Sequence, residues 1–282
     1  MSTVAQDLLH QIDRLGAGAA LPRVRALHLP PASAAAGSRA AGRGEFCAIE
    51  LDDGTLGLAY VLLDDHHDRL LAGEGCAGLA GASVAEVAAG LRRGYGPGRV
   101  LAWAAVQAAS RWLHDRAGYR PPDSRDSFGQ LRLGPGEALG MIGWFGPLIE
   151  RVLASGARLT VLELRPELVG ERERLRVTLD PAALAGCAQV ICTSTVLFND
   201  TLDATLAHCR AARDFAVIGP GAGCLPDALF ARGVTMLGGS AVTDAPACLD
   251  AIRAGAPLSG CTRKTAIVRG EHPGFEALLA RL

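Results

Sequence analysis

The chain has 282 residues, which at ~150 residues per domain is roughly two domains. Its 28 Lys+Arg against 29 Asp+Glu leave a net charge of −1, without the basic excess of a nucleic-acid-binding domain. Hydrophobic residues make up 49%, enough for real cores, but the apolar runs stop well short of the ~18 residues a membrane span needs. Met1 to Leu15 carries Asp7, Asp13 and Arg14 and lacks an apolar signal core, so a cytoplasmic protein without membrane insertion is expected.

Val4 to Leu15 reads as an amphipathic helix, with Leu8, Leu9, Ile12 and Leu15 at helical spacing. Val24 to Leu29 reads as a strand, and the Pro/Ala/Ser/Gly tract Pro30 to Arg43 as a long loop. Phe46 to Leu51 and Leu56 to Leu62 form a hairpin about Asp53-Gly54. Asp64 to Asp68 reads as a solvated loop, and Gly73 to Gly81 as a glycine-rich one. Ser83 caps a helix from Val84 to Leu91, with Glu86 as the capping-box acid. Leu101 to Leu113 is an Ala-rich helix, and Gly118 to Ser127 a linker.

The second half changes rhythm. Strands are expected at Ala138–Ile142, Arg158–Leu162, Gln189–Cys192, Phe215–Ile218 and Val234–Leu237, with an edge strand at Thr265–Val268. Helices from Pro147, Leu202 to Ala212, Pro226 to Ala231 and Pro246 to Ala254 alternate with them. Short apolar strands alternating with helices imply an open parallel sheet with right-handed crossovers. The division expected is therefore a small α+β domain over 1–127 and an open-sheet α/β domain over 128–282.

Ligands of such sheets sit beyond the carboxyl ends of the strands, near the reversal of strand order. The residues there are Gly143-Trp144-Phe145, Glu163, Thr193-Ser194-Thr195, Gly219-Pro220-Gly221 and Gly238-Gly239. Gly140-x-x-Gly143-x-x-Gly146 with Glu163 some 20 residues on approximates a dinucleotide fingerprint, but its spacing is not Gly-x-Gly-x-x-Gly, and Trp144-Phe145 crowds the pyrophosphate position. The hydroxyls and amide of Thr193, Ser194, Thr195, Asn199 and Thr201 exceed what one helix cap needs and suit an oxygen-rich or carboxylate-bearing ligand.

On these motifs the chain resembles the putative heavy-metal-chelation domain family, of uncharacterised function. Gly143-Trp144-Phe145, Glu163, Thr193-Ser194-Thr195, Asn199-Asp200-Thr201, Gly219-Pro220, and Gly238-Gly239 followed by Val242 and Asp244 carry the likeness. In the first half, Leu79-x-Gly81 before the Ser83 helix and the helix around Ala102 to Ala109 add to it. The resemblance implies an enolase N-terminal-like domain joined to a Rossmann-like domain, with a pocket between them. Gly221, Val196 and Gln107 stand where the family usually has a small hydroxyl residue, a hydroxyl and an Asn, respectively.

Direct metal ligation has two candidate sources: Asp64-Asp65-His66-His67-Asp68, whose adjacent histidines point to opposite faces when extended, and Cys192 with Cys224. The eight cysteines include no Cys-x-x-Cys pair, and in a cytoplasmic chain read as reduced, mostly core thiols. No Gly-x-Ser-x-Gly elbow or Ser-His-Asp order is present. Glu163 and Asp244 are the acids near strand ends, with helix caps the competing explanation.

Three readings follow. The leading one is binding of a small chelator, or of a heavy or transition metal held as a chelate, in an interdomain cleft. The second is an enzyme acting on such a molecule or using NAD or S-adenosylmethionine at the first strand turn. The third is a structural or partner-binding subunit, homo-oligomers included. The leading pocket set is Gly143, Trp144, Phe145, Glu163, Thr193, Ser194, Thr195, Asn199, Thr201, Gly219, Pro220, Gly221, Gly239 and Asp244, facing the Gly73–Gly81 loop.

Overall fold

A computed structural model describes residues 2–124 and 131–282. The first half builds a three-stranded antiparallel sheet from β1 (Val24–His28), β2 (Phe46–Leu51) and β3 (Leu56–Tyr60). Helix α1 (Val4–Gly18) starts at a capping box between Thr3 and Gln6 and buries Leu8, Leu9, Ile12 and Leu15. Between β1 and β2 runs α2 (Ala32–Ala40). This tract is helical rather than the expected loop. Its alanines favour helix over the breakers beside them, and Pro31 sits just before the first turn, where its missing N–H costs nothing.

Helix α3 (His66–Leu71) also replaces an expected loop, and His66 and His67 are both buried. His67 Nε2 meets Pro30 O at 2.8 Å, and the His66 ring tilts against Tyr95 at 4.7 Å. They are packing residues. The glycine-rich turns of 73–81 lead to α4 (Val84–Ala88), capped reciprocally by Ser83 and Glu86.

Helix α5 (Pro97–Arg116) joins the two halves. It is buried nearly all round, and its alanines allow backbone approach from the small sheet: a Cβ on Gly57 of β3 would fall 2.0 Å from Ala104 O. Arg99, Trp103 and Gln107, spaced by four, reach the larger sheet's loops, and Gln107 Nε2 also donates to Leu58 O of β3. Trp103 Nε1 donates to Gly221 O at 2.9 Å, Gln107 Oε1 accepts from Gly223 N at 3.1 Å, and Ser110 Oγ accepts from Leu225 N at 3.1 Å. One hydrophobic core consequently contains Leu8 and Ile49 as well as Val190 and Phe215.

The larger sheet begins with β4 (Ala138–Ile142), α6 (Gly146–Ala154) and β5 (Arg158–Leu162). A hairpin of β6 (Gly170–Arg172) and β7 (Leu175–Thr178) follows, which the charged run from Glu171 to Arg174 does not announce. Then come β8 (Gln189–Thr193), α7 (Thr195–Phe198), α8 (Leu202–His208) and β9 (Asp214–Ile218). The chain closes with α9 (Asp227–Phe230), β10 (Met236–Val242), α10 (Ala245–Ala254), β11 (Thr262–Val268) and α11 (Phe275–Leu279).

The strand order is β11-β10-β9-β8-β4-β5-β7-β6. All pairs are parallel except β10–β11 and β6–β7 at the two edges. The fold is thus the expected α/β class, a small antiparallel sheet plus a larger, mostly parallel one. The order reverses between β4 and β8, which places Gly143 beside Thr193. The expected division at residues 127/128 lies outside the described residues. The described part of the linker is held to β11, with Ser124 N donating to Lys264 O and Ala266 N to Pro122 O, both at 3.0 Å.

Candidate functional site

Two adjoining cavities open where the small sheet meets the strand ends of the large one. The first, about 680 Å³, is lined by the Trp144–Phe145 turn after β4, Arg165 after β5, Gly219 and Pro220 after β9, and Gly239 in β10. The second, about 390 Å³, is lined by Ser38, Arg43 and Glu45 from the small-sheet side and by Leu258. Pro220, Ser240 and Lys264 line both, so the two are compartments of one cleft. Ser240 and Lys264 are register partners across β10–β11, and directly opposed residues of an antiparallel pair lie on the same face.

The glycines here serve close packing. A Cβ on Gly219, at φ +135°, would lie 2.4 Å from Ser194 Oγ; one on Gly221 would lie 2.5 Å from the Phe198 ring. The turn after β9 is thereby pressed against the turn after β8, and Pro220 forms its rim.

Of the residues expected at the pocket, Trp144, Phe145, Gly219, Pro220 and Gly239 line the cleft. Trp144, 40% exposed, contributes a large aromatic face to it. Gly143 and Thr193 meet each other at the switch point instead. Thr193 Oγ1 lies 2.9 Å from Thr195 Oγ1 and accepts from Thr195 N, and Ser194 is buried beneath Gly219. Asn199, its amide turned to donate, caps Thr195 O and Val196 O and meets Thr201 Oγ1 at 2.7 Å.

Asp200 between them takes a positive φ of 61° and pairs at 2.7 Å with Arg99, which also donates to Phe198 O and Leu91 O. The Asn199–Thr201 turn is therefore part of the joint between the two halves. Glu163 accepts from Leu164 N at 2.8 Å and stands 3.6 Å from Arg165. Asp244 caps α10 by accepting from Ala247 N. The Gly73–Gly81 turns pack on Gly98 and Leu101 of α5 and line a separate pocket there. The small-sheet segment facing the cleft is Gly42–Glu45.

The reading from sequence overlooked Arg43, Glu45, Arg165 and Lys264. A signal for the last was present: among 28 Lys+Arg residues, Lys264 is the only lysine. Neither Lys264 nor Arg43 has an ion-pair partner among the described residues. Arg165 also lines the cleft but faces Glu163 at 3.6 Å, so Lys264 and Arg43 are the cations left without an ion pair, set against one lining acid among the described residues, Glu45.

Protein donors fit a bare metal ion poorly. Among the described residues, no group of three or more His, Cys, Asp or Glu side chains could hold one. Cys192 and Cys224 are fully buried, and burial raises both thiols, Cys224 to about 12, which keeps them protonated. Among the described residues, no helix is long and apolar enough to cross a membrane.

Comparison with solved structures finds two DUF364 proteins of unknown function. One is from Desulfitobacterium hafniense DCB-2, with TM-score 0.67 and 19% identity, covering 94% of this chain and 99% of that one. The other, from Pyrococcus horikoshii, has TM-score 0.67 and 19% identity, covering 93% and 99%. A search of curated proteins returned no match. The model of the DUF364 family, described as "Putative heavy-metal chelation", matches residues 126–269. With its match spanning half of the sequence, the chain belongs to the DUF364 family.

Proposed function

We propose that the cleft binds a small anionic chelator or its metal complex. The observation that carries this reading is the two cations without an ion-pair partner among the described residues, Lys264 and Arg43, around a concave, partly aromatic site. Such clefts commonly combine an apolar wall with a few polar groups that fix orientation. A metal would enter as cargo, already coordinated by the chelator, and the family's chelation label accords with this. The nucleotide alternative lacks support at Glu163, whose carboxylate is engaged by Leu164 N and faced by Arg165. The pocket residues we assign are Trp144, Phe145, Gly219, Pro220 and Gly239 from the expected set, joined by Arg43, Arg165, Ser240 and Lys264.

Because Lys264 is the sole lysine, amine chemistry reads this site directly. Reductive methylation followed by peptide mass spectrometry should show Lys264 modified roughly tenfold more slowly when citrate or nickel citrate stands at ten times its Kd. Bare nickel ion should give no protection. An unchanged rate with both citrate species, or equal protection by bare nickel, would count against the reading.

A further inference from the structure

The smaller compartment holds a group that anion binding leaves unused. Glu45 is 8% exposed and is, among the described residues, the one acidic side chain lining either compartment. Its Oε1 accepts from Ser38 Oγ at 2.5 Å, and no cation of the described residues lies within ion-pair distance. An ionised carboxylate has about four lone-pair sites, and burial is costly for a carboxylate that lacks a compensating positive charge. Glu45 and Lys264 line the same compartment. The cleft thus presents an ammonium and a buried carboxylate to one ligand.

Building on the proposed anion site, we infer that the ligand is a zwitterionic aminocarboxylate, with a carboxylate at Lys264 and a protonated amine at Glu45. This assignment also selects a charge state. An amine nitrogen that coordinates a metal uses its lone pair and carries no ammonium proton, so the metal complex loses the partner of Glu45. The cleft therefore prefers the metal-free, protonated chelator.

The test uses two probes of nearly the same shape, iminodiacetate and diglycolate, which differ by an ammonium in place of an ether oxygen. Calorimetric titration of the full chain should show iminodiacetate bound about tenfold or more tightly, the scale of one charge-assisted hydrogen bond. Glu45→Gln, which keeps an acceptor for Ser38, should bring the two affinities together, and zinc saturation of iminodiacetate should weaken its binding. Equal affinities in the unmodified chain, or a preference that survives Glu45→Gln, would overturn the inference. If diglycolate binds and Lys264→Met abolishes that binding without any amine preference, the anion site stands and this assignment falls. If neither probe binds, this assignment falls, while the anion site is decided by the citrate titration.

Discussion

Replacing Gly57 with Ala should destabilise the protein by about 3 kcal/mol or more, at or beyond the upper end of the usual cost of overpacking. The added Cβ would sit 2.0 Å from Ala104 O and 2.5 Å from Ala108 N. Both are backbone atoms of a long helix, so no side-chain rotation relieves the clash, and β3 must move away from α5. That helix also carries Trp103 and Gln107 into the loops of the larger sheet, so the displacement reaches the cleft. Gly37→Ala in α2, where an added Cβ meets nothing within 4 Å, should instead be neutral or stabilising by up to about 1 kcal/mol. Thermal unfolding of the two variants decides it. A loss below about 0.5 kcal/mol for Gly57→Ala would mean that β3 and α5 do not pack this closely.

A second large effect is acid sensitivity. His114, near the end of α5, is buried beside Tyr119, at 5.0 Å between ring centroids, and its Nε2 has no hydrogen-bond partner among the described residues. Burial, with His272 and Arg111 nearby, depresses its imidazole from 6.5 to about 3. Burial lowers His66 in the same direction. The unfolded chain therefore binds more protons than the folded one between pH 6.5 and 3. Stability is complete above 6.5 and declines as pH falls through that window.

For His114 alone the decline approaches about 1.4 kcal/mol per pH unit, or about 2 kcal/mol by pH 5. Asp227, held below its ordinary range by the His272 and Phe275 N–H contacts that outweigh its burial, adds a further loss below pH 4. Denaturant midpoints measured from pH 7.5 to 5 should fall accordingly, and His114→Phe should flatten the slope. A pH-independent midpoint in the unmodified chain would show that His114 is not buried in its neutral form.

The parts of the fold that the sequence discloses are those governed by local pattern. Phe46–Leu51, Ala138–Ile142 and Arg158–Leu162 are short apolar runs bounded by turn residues, and each is a strand over those residues. The Ser83 and Glu86 cap is likewise local. Helix α2 escapes because Pro30, Pro31, Ser and Gly resemble a loop, whereas its alanines and its packing decide: Ala35 is buried, and Ala34 fills the space where Gly255 lacks a side chain. The β6–β7 hairpin escapes because an exposed, charged edge needs no apolar alternation.

Of the cleft lining, the strand-end rule reaches Trp144, Phe145, Gly219, Pro220 and Gly239. It does not locate Lys264, which arrives on an antiparallel edge strand, nor Arg43 and Glu45, which come from the other sheet. The hydroxyl-rich stretch from Thr193 to Thr201 is instead absorbed by contacts within its own turns and, through Asp200, with Arg99. Its spacing alone does not separate that use from ligand binding. The alignment of Arg99, Trp103 and Gln107 at intervals of four was a visible sign of a helix face that bonds across the molecule.

The most direct measurement is calorimetric titration of citrate, and of nickel citrate, into the unmodified chain and into Lys264→Met. Binding through the cleft predicts a saturable heat in the unmodified chain and a Kd at least about tenfold weaker in the variant, as expected for loss of one charge-assisted contact. Indistinguishable binding by the two proteins, or saturable binding of bare nickel ion with no heat from either citrate species, would contradict an anion-binding cleft centred on Lys264.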